Sequence, residues 1–232
     1  MNILTIYKTM EESIKLCPKG ENIKFLFRHS IREEIMKGAS NADVQKAELT
    51  REGRIMAERL GESFDFDIGS VSSSHTQRCI DTCKEIINGY KGNHIQNNHE
   101  IILSKMLQCP HLDKEKNVSK ELKTWEKLGT EGIFDCFAKN IEMLGFFDLE
   151  KSSKRIINYI FNTGNKKNTI DLFCTHDFQL AMLLLYFNKN KNEFKEKLFN
   201  DKEMEWPFML EGMFLWGNEN SYSAIWRGKK VK

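Results

Sequence analysis

The feature that most constrains the fold is a short apolar run that ends at a group of polar residues. The run Phe25-Leu26-Phe27 continues into Arg28-His29-Ser30-Ile31-Arg32. We interpret the apolar part as a buried strand, and in open α/β sheets ligands bind beyond the carboxyl ends of the strands. The polar part then supplies two guanidinium groups and a potential nucleophile at that position. Taken alone, the stretch would fit an ordinary solvated strand end better than a site.

Two later segments repeat the pattern of a strand that ends in polar residues and is followed by a helix. Residues 67–72 run into Ser73-Ser74-His75-Thr76-Gln77-Arg78, and residues 169–174 run into Thr175-His176-Asp177. Because the carboxyl ends of parallel strands meet at one edge of a sheet, the three polar sets are expected to converge there. The pattern predicts an α/β fold with three layers, α/β/α, around a central, mostly parallel sheet.

The whole chain, residues 1–232, is interpreted as one domain that carries a cap insertion. Residues 105–150 are helical in pattern and heavily charged, and we expect them to form a small, mainly helical cap. Residues 33–48 are expected to form a loop over the site. Thr50 is expected to cap a helix that ends at Gly61. Residues 213–216 and 222–226 flank a turn-like segment and predict a hairpin.

Charge and cysteine usage limit the partners and the compartment. Lys and Arg exceed Asp and Glu by 35 − 33 = 2, so bulk charge favours neither nucleic acid nor an anionic membrane as partner. No apolar run approaches the roughly 20 residues that span a bilayer, and the N-terminus lacks a secretory pattern. Scattered cysteines without a Cys-x-x-Cys pair favour reduced thiols in a cytoplasmic protein. They are Cys17, Cys79, Cys83, Cys109, Cys136 and Cys174.

Four segments in a fixed order resemble the histidine phosphatase (phosphoglycerate mutase-like) superfamily. They are Arg28-His29-Ser30 with Arg32 (Arg-His-Gly and a following Arg in the family), Leu49-Thr50-x-x-Gly53 (Leu-Thr-x-x-Gly), Ser73-Ser74-x-x-x-Arg78-x-x-x-Thr82 (Ser-Ser-Pro-Leu-x-Arg-Ala-x-x-Thr-Ala) and Thr175-His176-Asp177 (the second catalytic His). Ser30 stands in place of the family's glycine. Cys79 and Cys83 stand in place of its two alanines.

The position of the general acid distinguishes two branches of the superfamily. One branch carries a Glu after the third strand, where the best match in this chain, Leu103-Ser104-Lys105, has a lysine. The acid-phosphatase-like branch carries an Asp directly after the second histidine, and His176-Asp177 is similar to that arrangement. The sequence is therefore assigned to the acid-phosphatase-like branch.

The resemblance implies a phosphatase that hydrolyses a phosphomonoester through a phosphohistidine on His29. It implies that Arg28, Arg32 and Arg78 bind the phosphate, that His176 donates to a phosphate oxygen and that Asp177 is the general acid. Guanidinium groups match phosphate oxygens, and like-charge repulsion would lower the pKa of His29 and keep the nucleophile neutral. The same positive charge would repel a divalent cation, so we expect no metal and no cofactor.

Several alternatives remain open at this point. His29, His176 and Asp177 are residue types that would also hold a metal ion. A phosphomutase would use the same phosphohistidine, and a non-catalytic phosphate- or phosphopeptide-binding protein would use the same arginines. Asp177 would serve equally as a helix cap, in which case Glu100 or Glu211 would be the next candidates for the acid. The substrate, expected to be a small phosphorylated molecule, and the oligomeric state are left open.

Overall fold

The structure, a computed structural model, describes residues 6–36, 38–39, 41–92, 100–113, 118–200 and 206–232. Within these ranges the chain forms eight α-helices, one 3₁₀ helix and seven strands. The helices are α1 Lys8–Lys15, α2 Asn41–Lys46, α3 Arg51–Glu62, α4 Gln77–Gly89, the 3₁₀ helix Lys105–Leu107, α5 Val118–Lys139, α6 Leu149–Phe161, α7 Asp177–Phe187 and α8 Lys191–Asn200. The strands are β1 Ile23–Arg28, β2 Asp67–Ser73, β3 Ile101–Leu103, β4 Thr169–Thr175, β5 Gly212–Asn218, β6 Ser221–Trp226 and β7 Lys229–Lys230.

The strands of the described ranges form one sheet in the order β3-β2-β4-β1-β5-β6-β7. Strands β3, β2, β4 and β1 are mutually parallel, and β5 joins β1 in antiparallel orientation. The expected hairpin is present as β5 and β6, which pair antiparallel, and β7 continues from β6. Because β1, β2 and β4 are parallel, their carboxyl ends lie at the same edge of the sheet.

Both faces of the sheet are buried, which explains why the central strands are apolar almost throughout. Side chains alternate across a strand, so Phe25 and Phe27 of β1 lie in the core beneath α3 and α4, while Leu26 lies in the core beneath α6 and α7. Strand β4 alternates in the same way, with Leu172 on the first face and Phe173 on the second. The expected three-layer α/β/α fold is confirmed.

Two local expectations were wrong. Gly61 lies inside α3, and the helix continues to Glu62 with Ser63 at its C-cap. This glycine instead permits close packing of α3 on α4, because a Cβ at Gly61 would lie 2.0 Å from the carbonyl oxygen of Ile86. Within the described part of residues 33–48, the loop contains the short helix α2. Thr50 does cap α3, since its hydroxyl accepts the N–H of Gly53 at 3.0 Å.

Residues of the expected cap segment pack on the core of the second face. Ile133, Phe134 and Phe137 of α5 share one apolar cluster with residues of α6 and α7. Helix α5 is interrupted at Gly129, whose φ of 61° lies in the left-handed region. Phe178 of α7 contacts Trp125 and Phe134, with ring centroids 5.0 and 5.3 Å apart. The segment therefore contacts the beginning of α7.

A buried ion pair joins β1 to β4 away from the edge at which these strands end. Lys24 and Asp171 are partners in the strand register, and their side chains are 3% and 1% exposed. The Lys24 ammonium donates to Asp171 Oδ2 at 2.7 Å and also to the carbonyl oxygens of Thr163 and Gly164. Burial lowers the pKa of Lys24, and the carboxylate opposes that shift.

None of the described helices has the length and apolar character needed to cross a membrane.

Candidate active site

Three strand ends meet at one edge of the sheet, as the sequence predicts. Strand β4 lies between β2 and β1, and hydrogen bonds across the strand ends hold the following residues in place. The N–H of His29 donates to the carbonyl oxygen of Thr175 at 3.1 Å, and the N–H of Ser74 donates to that of Cys174 at 3.0 Å. His176 directly follows β4, so it lies between His29 and Ser74, and its ring centroid is 5.6 Å from that of His29.

The hydrogen bonds of His29 determine which ring nitrogen carries the proton. Arg78 Nε lies 3.0 Å from His29 Nε2, and a guanidinium only donates, so Nε2 must be the acceptor. The proton of the neutral ring is therefore on Nδ1, which donates to the carbonyl oxygen of Ser30 at 2.8 Å. Such a second bond fixes the tautomer and the orientation of the ring. Nε2 consequently presents a lone pair to the arginines.

The surroundings of His29 favour its neutral form. The residue is only 2% exposed. Burial lowers the pKa of His29 well below its ordinary value, and His176, Arg78 and Arg28 lower it further by charge repulsion. The hydrogen bond to Ser30 acts in the opposite direction. An uncharged imidazole with a free lone pair is the form that a nucleophile requires.

Arg28, the last residue of β1, is held by three partners from different parts of the chain. Its backbone N–H donates to the carbonyl oxygen of Glu211 at 2.9 Å. In its guanidinium, Nη1 donates to the carbonyl oxygen of Pro207 at 2.7 Å, and Nη2 lies 3.0 Å from Asp177 Oδ2. The Nε of Arg28 is buried and has no hydrogen-bond partner in the structure. A donor in that condition favours an anion as a ligand.

Arg78 and Arg32 approach the site from α4 and from the segment after β1. Arg78 is 5% exposed, and besides His29 it binds the carbonyl oxygen of Val44 in α2 at 2.8 Å. Burial lowers the pKa of Arg78, and the charges of Arg32 and Arg28 lower it further. Arg32 forms an isolated β-bridge with Leu49 and donates to the carbonyl oxygen of Glu33 at 2.7 Å. Partial burial and the charge of Arg28 lower the pKa of Arg32, and the charge of Asp177 opposes that shift.

His176 and Asp177 occupy the start of α7. The Nε2 atom of His176 lies 3.1 Å from the Ser74 hydroxyl, 3.4 Å from the Thr76 hydroxyl and 3.8 Å from the Cys79 thiol. These contacts orient the ring, and Ser74 and Thr76 are site residues that were not predicted from the sequence. Their position in the Ser-Ser segment of the family was the available signal. Asp177 Oδ1 accepts the N–H of Phe178 at 2.9 Å, and its Oδ2 binds Arg28.

The serine that follows His29 fits a position where the family segment has glycine. The Ser30 hydroxyl donates to the carbonyl oxygen of Gly53 at 2.7 Å, and the Ser30 N–H donates to the Thr82 hydroxyl at 3.0 Å. Gly53 is itself required by close packing, since a Cβ there would lie 2.1 Å from the carbonyl oxygen of Ile31. The Leu-Thr-x-x-Gly and Ser-Ser segments therefore both support the turn after His29.

The carboxylates considered as alternatives to Asp177 lie in different surroundings. Glu211 is 1% exposed. Its Oε1 is 2.7 Å from Arg227 Nε, and its Oε2 accepts Arg227 Nη2 and the N–H of Phe208, each at 3.0 Å. Glu100 is exposed and precedes β3, and two strands, β2 and β4, lie between β3 and β1. Lys105, at the position of the glutamate in one branch, is exposed.

Two further observations concern metal binding and the remaining histidines. Among the described residues, no three histidine, cysteine, aspartate or glutamate side chains are grouped so that they could hold a metal ion. His75 is exposed, whereas His111 is 3% exposed and stacks on Phe146 at 5.1 Å between ring centroids. His111 is therefore packed in the core and is not a solvated residue. His94 and His99 lie outside the described residues.

The family assignment follows from a match over most of the chain. A model of the histidine phosphatase superfamily (branch 1) matches residues 25–201. The chain belongs to the histidine phosphatase superfamily. The superfamily expected from the sequence is confirmed, but the branch was assigned wrongly, because the matching model is that of branch 1 and not of the acid-phosphatase-like branch. An aspartate directly after the second histidine, as in His176-Asp177, is therefore not sufficient to identify the acid-phosphatase-like branch.

Solved structures of low sequence identity share the fold. A phosphoglycerate mutase from Bacillus anthracis is 14% identical with a TM-score of 0.54, and the match covers 90% of this chain and 95% of that one. A phosphoserine phosphatase mutant from Entamoeba histolytica, in complex with phosphoserine, is 14% identical with a TM-score of 0.53 and coverage of 91% and 97%. YhfR from Bacillus stearothermophilus is 16% identical with a TM-score of 0.53 and coverage of 90% and 97%. The search of curated proteins found no match.

Proposed function

We propose that the protein is a phosphatase that hydrolyses a small phosphomonoester through a phosphohistidine intermediate on His29. The observation that carries this proposal is the environment of His29 Nε2. That atom has a lone pair, belongs to a buried ring whose pKa is lowered well below its ordinary value, and lies 3.0 Å from an arginine. A neutral nucleophile next to fixed positive charge suits attack on a phosphoryl group.

In the proposed reaction, Arg28, Arg32 and Arg78 bind the phosphoryl oxygens. Arg78 exchanges its bond to His29 for a bond to the phosphate, which frees Nε2 for in-line attack. The Nδ1–H bond to Ser30 then stabilises the positive charge that develops on the phosphorylated ring. His176, held by Ser74, donates to a phosphate oxygen.

Asp177 is proposed as the general acid and base of the two half-reactions. Its salt bridge to Arg28 at 3.0 Å holds the carboxylate beside the proposed phosphate site, and its side chain is 33% exposed, so a leaving group and water can reach it. Asp177 first protonates the leaving alkoxide and then accepts a proton from the water that attacks the phosphohistidine.

The remaining parts of the proposal concern the metal, the cap and the compartment. We propose a reaction without a metal or cofactor, because three arginines already supply positive charge. We propose one domain in which residues at about 105–150 form the cap that selects the substrate, which is supported by the contact of Trp125 and Phe134 with Phe178, next to Asp177. A cytoplasmic location is supported by six free cysteines.

Trapping the phosphoenzyme tests the proposal. The full chain is mixed with radiolabelled substrate and quenched, and we expect protein-bound phosphate that is labile in acid and stable in base. His29→Ala should carry no label, whereas the exposed His75→Ala should carry it as the wild type does. Turnover by His29→Ala at the wild-type rate, or label retained in that variant, would contradict the assignment. Activity should also survive exhaustive chelation, and restoration by zinc or magnesium after chelation would instead favour a metal site.

A further inference from the structure

The C-terminal strands bring two charged residues to the edge of the sheet at which the site lies. Strand β5 runs antiparallel to β1, and its first residue, Gly212, is the register partner of Phe27. Strand β6 returns antiparallel to β5 and ends at Trp226. The residue before β5 and the residue after β6 therefore lie near the carboxyl end of β1. These two residues are Glu211 and Arg227.

Glu211 and Arg227 form an ion pair with two hydrogen bonds. Arg227 Nε lies 2.7 Å from Glu211 Oε1, and Arg227 Nη2 lies 3.0 Å from Glu211 Oε2. The two parallel bonds use the rigid fork of the guanidinium, which gives such a pair geometric specificity. The Glu211 side chain is 1% exposed and that of Arg227 is 19% exposed, so the pair is largely shielded from solvent. The carboxylate is therefore held in one position.

The Glu211 carboxylate also fixes the turn formed by residues 207–211. Its Oε2 accepts the N–H of Phe208 at 3.0 Å, and the backbone N–H of Glu211 donates to the Phe208 carbonyl oxygen at 3.2 Å. The Arg227 guanidinium lies over the Phe208 ring, 5.1 Å from its centroid. Leu210 has a φ of 64°, in the left-handed region that residues with a Cβ rarely adopt. A backbone of this kind keeps its shape only while surrounding contacts hold it.

The same turn contacts both residues at the end of β1. The Pro207 carbonyl oxygen accepts Arg28 Nη1 at 2.7 Å, and the Glu211 carbonyl oxygen accepts the backbone N–H of Arg28 at 2.9 Å. The N–H of Leu210 donates to the His29 carbonyl oxygen at 3.0 Å. One turn therefore holds the backbone and the side chain of Arg28 and the backbone of the proposed nucleophile.

We propose that the Glu211–Arg227 ion pair positions Arg28 for phosphate binding, because it fixes the turn that carries the Pro207 carbonyl oxygen. The inference rests on the proposed function, in which Arg28 binds a phosphoryl oxygen. Pro207 engages Nη1 and Asp177 engages Nη2, which leaves the buried Nε, unpaired among the described residues, for the phosphate. If the turn moves, the salt bridge to Asp177 alone orients the guanidinium, and Nε is displaced.

Two measured quantities should change when the ion pair is broken. Arg28 would bind phosphate through charge-assisted hydrogen bonds, so its misplacement should raise the Kd of inorganic phosphate by about 10-fold. Misplacement by about 1 Å can cost 10²-fold in rate. We therefore expect kcat/KM for p-nitrophenyl phosphate to fall by about 10- to 100-fold.

The experiment makes the same substitution in two buried ion pairs. Glu211→Gln removes the carboxylate charge of the first pair, and Asp171→Asn removes that of the Lys24–Asp171 pair. The two carboxylates are matched, because each is 1% exposed and pairs with one cation. Each also accepts one backbone N–H, that of Phe208 for Glu211 and that of Ser70 for Asp171. The Lys24–Asp171 pair lies away from the edge at which the site lies, so it serves as the control.

Urea denaturation first identifies conditions under which each full-length variant is fully folded. Calorimetry with inorganic phosphate then gives the Kd, and turnover of p-nitrophenyl phosphate gives kcat/KM. We expect both changes in Glu211→Gln, whereas both values for Asp171→Asn should stay within about twofold of those for the wild type. Arg227→Lys keeps the charge but loses the rigid fork, so it provides a second variant in which we expect smaller changes in the same direction.

A double-mutant cycle with Arg28 separates positioning from a purely structural role. The kcat/KM of Arg28→Met is compared with that of Arg28→Met/Glu211→Gln. If the ion pair acts through Arg28, the Glu211→Gln substitution should change kcat/KM by less than about twofold once Arg28 is absent. A decrease as large as that in the wild-type background would overturn the inference.

Other outcomes separate the inference from its alternatives. Loss of a general acid at Glu211 would slow an alkyl phosphate more than p-nitrophenyl phosphate and leave the phosphate Kd unchanged, and that result would overturn the inference. Equal weakening of phosphate binding in Glu211→Gln and Asp171→Asn would do the same. A wild type that binds phosphate without turnover would contradict the phosphatase proposal alone, and the comparison of Kd values would still decide the role of the ion pair. A wild type that neither binds phosphate nor turns over would refute both.

Discussion

The buried, neutral histidine at the end of β1 leads to a quantitative prediction about stability and pH. Burial, His176 and the arginines lower the pKa of His29 well below its ordinary value of 6.5 in the folded protein. In the unfolded chain His29 binds a proton near pH 6.5, whereas the folded protein does not bind it until the pH is lower. The stabilisation is therefore fully present above pH 6.5, and it is lost as the pH falls toward the folded-state pKa.

The size of the effect follows from the single proton involved. While the unfolded chain carries one more proton than the folded protein, the free energy of unfolding falls by up to about 1.4 kcal/mol per pH unit. His29→Gln removes the titrating group and keeps an acceptor for Arg78. We expect the wild type to lose stability more steeply than His29→Gln by about that slope, in urea denaturations at a series of pH values from about 7.5 to 5.

A second histidine provides the control for this measurement. His75 follows the same edge of the sheet but is exposed, so His75→Gln should keep the pH dependence of the wild type. Parallel curves for wild type and His29→Gln below pH 6.5 would refute the reasoning, because the folded and unfolded chains would then bind the proton of His29 equally. Such a result would also remove the physical basis for a neutral nucleophile.

Three further predictions concern an arginine, the proposed acid and the buried ion pair. Arg78→Lys loses the Nε bond to His29 and should lower kcat/KM for p-nitrophenyl phosphate by about 10²- to 10³-fold, while the exposed Arg51→Lys should not. In single-turnover assays, Asp177→Asn should slow phosphoenzyme formation from an alkyl phosphate by about 10²- to 10⁴-fold and from p-nitrophenyl phosphate much less, and equal slowing would assign it a structural role. Lys24→Met leaves the Asp171 carboxylate buried and unpaired, so urea denaturation should show that the free energy of unfolding falls by about 3–5 kcal/mol. Most of that loss should be restored in the double variant Lys24→Met/Asp171→Leu. A single variant as stable as the wild type would contradict a buried ionised pair.

The positions of residues that directly follow the parallel strands were predictable from the sequence. A parallel sheet aligns its carboxyl ends whatever the side chains are, so an apolar run followed by Arg28-His29 and another followed by His176-Asp177 had to meet at one edge. The three-layer fold follows in the same way from strands that are apolar on both faces. These inferences need the order of short segments along the chain and no knowledge of side-chain contacts.

Contacts between distant segments were not predictable. The tautomer of His29 depends on Arg78, 49 residues away in the chain, and on a rotamer that no local pattern specifies. The surroundings of Glu211 depend on Arg227, which reaches it only through the fold of the last strands. Glycine commonly terminates helices, so the sequence predicts a helix end at Gly61, yet here the glycine allows the backbone of α4 to pack closely on α3. In each case tertiary packing decided between two local roles that the sequence allows.

The general acid is the point at which family and structure give different indications. One branch of the superfamily carries its acid as a glutamate after the third strand, but this chain has the exposed Lys105 at the matching position. Glu211 has both oxygens bound by Arg227, and Glu100 precedes β3, which β2 and β4 separate from β1. Of the carboxylates considered from the sequence, Asp177 is the one whose oxygen lies 3.0 Å from Arg28, directly after β4. A proton donor at that position would act on the same oxygen that leaves as His29 attacks. The chain would then combine a branch 1 framework with an acid on the helix that follows the second histidine.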